Sequence, residues 1–136
     1  MFAQFDNSKF PLVQVNLAKT IESNEDFQNF LDKWMEYYTE KKEFTFIFDT
    51  SDVGFPPIKY CFKMSSFIKK LRKEEKQYLQ KSIIIVKSKT VMRLLNLIFF
   101  LQAPVAPVVM TEDEKEKVLE NPDGIEVKKH IPGKPN

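Results

Sequence analysis

The chain has 136 residues, 43% apolar and 13% aromatic, with thirteen phenylalanines among them, which suffices for the core of one domain. Its 21 Lys and Arg against 19 Asp and Glu leave a formal charge of +2, too small for a global field toward a polyanion or an anionic membrane. A single cysteine, Cys61, and a single histidine, His130, exclude an internal disulfide and a Cys/His zinc site and suit a reducing, intracellular compartment on the cytoplasmic side.

The first ten residues lack both a charged start followed by a long apolar stretch and an Arg-rich amphipathic pattern, so no targeting signal is expected. Phe2 to Phe5 read as a first strand, with Asp6-Asn7-Ser8-Lys9 as a hairpin connection. Leu12 to Leu17 alternate strictly, with Val13, Val15 and Leu17 on one face and Gln14 and Asn16 on the other, the pattern of a strand with one wet face. Pro11 suits a strand start or an edge.

Ser23 followed by Asp26 resembles a capping box, and Phe27, Phe30, Leu31, Trp34 and Tyr38 recur at helical spacing, which predicts a first helix over 24–41. Phe44 to Phe48 form a buried strand that ends at Asp49 and opens into the loop Thr50 to Pro57. Pro56 and Pro57 suit the first turn of a second helix reaching Arg72, with Ile58, Cys61, Met64, Ile68 and Leu71 as its apolar stripe. Ile83-Ile84-Ile85-Val86 do not alternate, as expected of a central strand covered on both faces.

Ser88 caps a third helix over about 89–102 that Ala103-Pro104 ends, and Pro107 to Met110 make a last strand. Thr111 caps a fourth helix through Glu120, with Glu114 as its capping-box partner. The window from Val91 to Leu101 is interrupted by Arg93 and Asn96 and is too short to cross a bilayer. The resulting order predicts one α/β domain over residues 1–120, a mixed, largely parallel sheet of about five strands with about four helices. An extended polar tail over 121–136 completes the chain.

This element order resembles the STAS/SpoIIAA-like domains, the family of anti-sigma-factor antagonists and transporter cytoplasmic domains. The nearest local likeness is Ile47-Phe48-Asp49-Thr50-Ser51-Asp52-Val53-Gly54-Phe55, similar to the family's strand-to-loop segment. At the next helix start, where the family carries its phosphorylation segment, Pro56-Pro57-Ile58 stand instead, and Ser51 is too early to take that role. The resemblance implies a domain that binds proteins, nucleotides or lipids through a helix face and adjacent loops. A weaker likeness to the lipid-binding CRAL-TRIO fold points the same way.

No residue set suggests a catalytic, cofactor or metal site. Asp49, Ser51 and Asp52 form a candidate ligand loop beyond a strand C-terminus, although the same residues make ordinary turns. Cys61 reads as a small buried apolar residue. Lys69, Lys70, Arg72 and Lys73 form a candidate basic patch that the second helix's dipole also explains.

The third helix carries more apolar residues than one sheet face needs. Val91, Leu94, Leu95, Ile98 and Leu101 supply the sheet-facing arc, which leaves Met92, Leu97, Phe99 and Phe100 for an interface. Ile125, Val127 and Ile131 are the docking contacts expected of the tail. The function expected is therefore a non-enzymatic protein-interaction subunit of a larger assembly. The alternative is an apolar-ligand or lipid-binding domain whose Phe-rich third helix lines a pocket with Phe62 and Phe67. Few arginines and no basic excess disfavour a nucleic-acid partner.

Overall fold

A computed structural model describes residues 1–134. The strands are β1 (Ala3–Lys9), β2 (Leu12–Leu17), β3 (Phe44–Asp49), β4 (Leu79–Ile85), β5 (Val108–Thr111) and β6 (Lys129–Ile131). The helices are α1 (Asn24–Thr39), α2 (Lys59–Leu71), α3 (Lys89–Leu101) and α4 (Lys115–Glu120). The six strands lie side by side in chain order. Pairing is antiparallel at the two outer ladders, β1 with β2 and β5 with β6, and parallel between β2, β3, β4 and β5.

Chain order within the sheet has a direct consequence. Each parallel crossover steps the same way, and right-handed crossovers that all step the same way place their helices on one face. Side chains of α1, α2 and α3, such as Trp34, Ile68 and Val91, accordingly share one core with Val15, Phe46, Phe48, Ile84 and Met110. The opposite face presents Ile47, Ile83 and Ile85 to Val118 of α4, with Leu119 and Ile125 beside it. The unbroken apolar run Ile83–Val86 thus serves both faces, as its lack of alternation requires.

The helix starts follow their sequence signals in two cases. Ser23 accepts the Asp26 N–H at 3.0 Å, and Ser88 accepts the Val91 N–H at 3.3 Å. Asp26 does more than complete a box. Its carboxylate takes the backbone N–H of Phe2 at 2.8 Å and of Glu22 at 3.1 Å, tying the start of β1 to α1.

Several expectations are corrected. Asp6 to Lys9, expected as a hairpin connection, belong to β1, and α2 starts at Lys59, past Pro56 and Pro57. The fourth helix starts at Lys115, with Glu114 at the cap position making no side-chain bond. Thr111 belongs to β5, and its hydroxyl donates to the Glu126 carbonyl at 2.8 Å while accepting the Asp113 N–H at 3.1 Å. The sheet also has a sixth strand, formed by the segment expected to be an extended tail. Residues 129–131 pair with β5, the Lys128 N–H bonds the Met110 carbonyl at 2.8 Å, and the Lys134 N–H bonds the Pro104 carbonyl at 2.8 Å. The remainder of the expected tail, Pro135 and Asn136, lies outside the described residues.

Candidate functional site: an apolar cavity beneath the helix layer

The helix face of the sheet is unevenly filled. Under α1 the filling is aromatic: Trp34 meets Phe46 edge-on at 4.9 Å between ring centroids and Phe67 at 5.3 Å, and Phe30 at 5.9 Å. Under α2 and α3 the side chains are shorter. Cys61 and Ser82, with Val108 and Ala106, border a cavity of about 150 Å³ that Trp34, Phe48, Val91, Leu95, Ile98 and Phe99 also line. Ile21, Val53, Pro56 and Pro57 reach it from the two loops at the C-terminal edge of the parallel strands. Those loops are held together by the Gly54 N–H, which bonds the Lys19 carbonyl at 3.0 Å. A Cβ at Gly54 would lie only 3.3 Å from the Lys19 carbonyl oxygen, so glycine suits this close approach.

Polar groups at the cavity are few. The Thr50 hydroxyl, which lines it, is already engaged with the Ile85 carbonyl at 2.6 Å. The Tyr60 hydroxyl is engaged with Asn24 at 3.1 Å. Trp34 differs: it is 6% exposed, and its indole Nε1–H meets no acceptor among the described residues. A buried donor without a partner costs about 1–3 kcal/mol. The cavity beside it, about 150 Å³, also leaves its apolar lining short of packing partners. Trp34 is common to both features.

The seam between α2 and α3 roofs this cavity. Ser65 Oγ lies 3.2 Å from the Ile98 carbonyl, and Cys61 Sγ lies 3.9 Å from that of Leu94. Burial pushes the Cys61 thiol above its ordinary pKa, so it is a neutral wall of the cavity and a poor nucleophile.

The residues singled out in the sequence are distributed differently from expectation. Met92 and Phe99 turn inward and pack against the main core, Leu97 is half-buried, and Phe100 is 85% exposed. Leu101, expected on the sheet-facing arc, is exposed, whereas Val91, Leu94, Leu95 and Ile98 line the cavity and Phe99 joins them there. Ile125 and Ile131 are used inside the fold, Ile125 against the Val118 cluster and Ile131 against the main core. They are therefore not free docking contacts, whereas Val127 is half exposed.

Phe62 and Phe67 do not line the cavity together. Phe62 is exposed, and Phe67 is buried against Trp34. The donor that matters, Trp34, was legible in the sequence only as one member of an apolar stripe.

Asp49, Ser51 and Asp52 form a turn: the Asp49 carboxylate accepts the Ser51 N–H at 2.9 Å, and Ser51 and Asp52 are exposed. Among the described residues no three His, Cys, Asp or Glu side chains gather in a metal-binding arrangement. His130 is exposed on β6. No helix among the described residues is long and apolar enough to cross a membrane. Comparison with protein-family models, with curated proteins and with solved structures gave no significant match.

Proposed function

We propose that this protein is a non-enzymatic binding domain for a small, uncharged apolar ligand that carries one hydrogen-bond acceptor. The observation behind this reading is an apolar cavity lined by Trp34, a residue whose buried indole N–H meets no acceptor among the described residues. A ligand with an apolar body and one carbonyl or ether oxygen would relieve both the packing and the hydrogen-bond penalty. A charged ligand group is disfavoured, because the cavity offers no counter-charge to repay its desolvation.

The cavity matches in scale an engineered apolar cavity known to accept benzene. The ligand class is thus a small cyclic or short-chain compound, or the end of a longer acyl chain. The STAS/SpoIIAA-like resemblance belongs to the same proposal, since the chain-ordered sheet with three crossover helices on one face supports it.

Cyclohexanone, an apolar ring with one carbonyl, is a suitable probe. It should raise the thermal midpoint of the native protein by mass action. It should leave that of Val91→Phe, whose ring projects into the cavity, unchanged. An equal response from both proteins would refute the cavity as the site.

A second reading, a protein-interaction subunit, is favoured by the exposure of Phe100 and Leu101 at the end of α3. Phe100→Asp should then abolish a native oligomer or complex. An unchanged sedimentation profile would dismiss this reading.

A further inference from the structure

The small formal charge conceals an uneven distribution. Residues 53–111 hold eleven Lys and Arg against two acids, Glu74 and Glu75, and the rest of the chain holds ten against seventeen. The cations concentrate on one helix. Lys59, Lys63, Lys69, Lys70 and Lys73 are all exposed along the outer side of α2 and its C-terminal end, with Phe62 among them. The neighbouring α1 is the control: its exposed side reads Glu25, Gln28, Asn29, Asp32, Lys33 and Glu36.

Fold stability does not account for this placement. Lys69 and Lys70 lie in the last turn of α2, where the helix dipole favours cations, but Lys59 opens its first turn and Lys63 follows one turn later. The first turns of α2 and α3 contain no acidic residue, whereas α1 begins with Glu25 and Asp26. None of the cations on α2 or α3 makes an ion pair among the described residues, while Lys81 and Lys87 pair with Asp123 and Glu114. The local relief for Lys59 is the Tyr60 ring, 5.1 Å from its Nζ.

Large apolar side chains occupy the same region. Phe55 is 83% exposed, Ile58 59% and Phe62 51%, and they lead into and along α2. Cations interleaved with outward aromatics fit a surface that is anionic outside and apolar a few ångströms deeper. The cations are mostly lysine. Lysine suffices for the diffuse charge of a headgroup layer, whereas forked recognition of a nucleic-acid phosphate or base favours arginine.

The geometry points to the outer face of α2, with the Phe55–Ile58 loop leading into it, as a docking surface for an anionic lipid bilayer, on which the protein lies without crossing it. This surface is separate from the cavity and does not depend on a ligand there. The two are neighbours, since Pro56 and Pro57 line the cavity beside Phe55 and Ile58.

The full chain is tested by flotation with phosphatidylcholine vesicles with and without phosphatidylserine. It should bind only the anionic vesicles and be released by added salt. Replacing Lys69, Lys70 and Lys73 together with Ala should weaken binding about a hundredfold. Phe62→Ser should weaken it about tenfold without changing the response to salt. All of these side chains are exposed, so the variants should keep the native circular dichroism, with only the small drop in thermal midpoint that loss of the Lys69 and Lys70 contacts with the helix dipole brings.

Equal binding to neutral vesicles would overturn the inference. Binding to polyuridylate in place of vesicles would overturn it in favour of nucleic acid. The cavity variant Val91→Phe should bind vesicles as the native protein does, so failure of this inference and failure of the ligand reading are distinguishable.

Discussion

Ser65 on α2 joins Ile98 on α3: the Ser65 hydroxyl lies 3.2 Å from the Ile98 carbonyl and 2.9 Å from the Cys61 carbonyl one turn back on its own helix. One hydroxyl proton serves both acceptors, so the seam over the cavity is fixed by a shared bond. Ser65→Ala removes it while leaving the Ile98 carbonyl bonded to the Gln102 N–H at 2.9 Å. The expected cost in urea denaturation is about 1 kcal/mol. An unchanged midpoint would show that the seam is held by apolar contact alone.

Adjacent phenylalanines should behave oppositely. Phe99 lines the cavity and packs against the core, so Phe99→Ala should destabilise by about 2 kcal/mol. Phe100 is 85% exposed, and Phe100→Ala should change stability by no more than about 0.5 kcal/mol. Comparable losses at the two positions, read by chemical denaturation, would contradict the inward placement of Phe99.

The placement of Phe99 and Phe100 marks a limit of sequence reading. Helical periodicity identifies α3 but not which arc of an almost wholly apolar helix faces inward, because Leu97, Phe99 and Phe100 are equally apolar. The answer depends on how α3 packs on its neighbour, where the Ser65 and Cys61 side chains meet the Ile98 and Leu94 carbonyls. The unbroken run Ile83–Val86 was legible because a two-sided environment leaves a direct trace in composition. Strand β6 was not: Lys129, His130 and Ile131 join the sheet through backbone bonds, without an apolar pattern. Whole-chain charge misled for a related reason, since a sum of +2 averages the acidic side of α1 with the basic side of α2. The cavity was least legible, because a void is a shortfall of volume among residues that are individually ordinary.

Adding one methylene beneath the seam should stabilise the fold. Val91 is buried at the cavity wall, and Val91→Ile should gain about 0.5–1 kcal/mol by filling part of the cavity. A loss of stability in thermal denaturation would mean that the core there is already close-packed.

The C-terminal clip should respond to acid. The Asp113 carboxylate accepts the Glu126 N–H at 2.9 Å and pairs with Lys117 at 3.3 Å, and chiefly the backbone bond holds its pKa below the ordinary 3.8. Because the folded pKa is the lower one, this contribution is present above the unfolded value and is lost as pH falls through the folded one. The Glu126 amide resonance should therefore titrate with a midpoint below 3.8. A midpoint at or above that value would remove Asp113 from the clip.

Trp34 lines the cavity and is the protein's single tryptophan, so its indole N–H gives one resonance with which to follow the site. Titration with cyclohexanone should move that resonance downfield and saturably as the carbonyl accepts the N–H, whereas benzene, which lacks such an acceptor, should perturb the cavity methyl groups and leave the N–H without a downfield shift. An indole resonance unmoved by the ketone while the methyl groups respond, or a cavity that responds to neither probe, would contradict the assignment of Trp34 as the polar anchor of an apolar-ligand site.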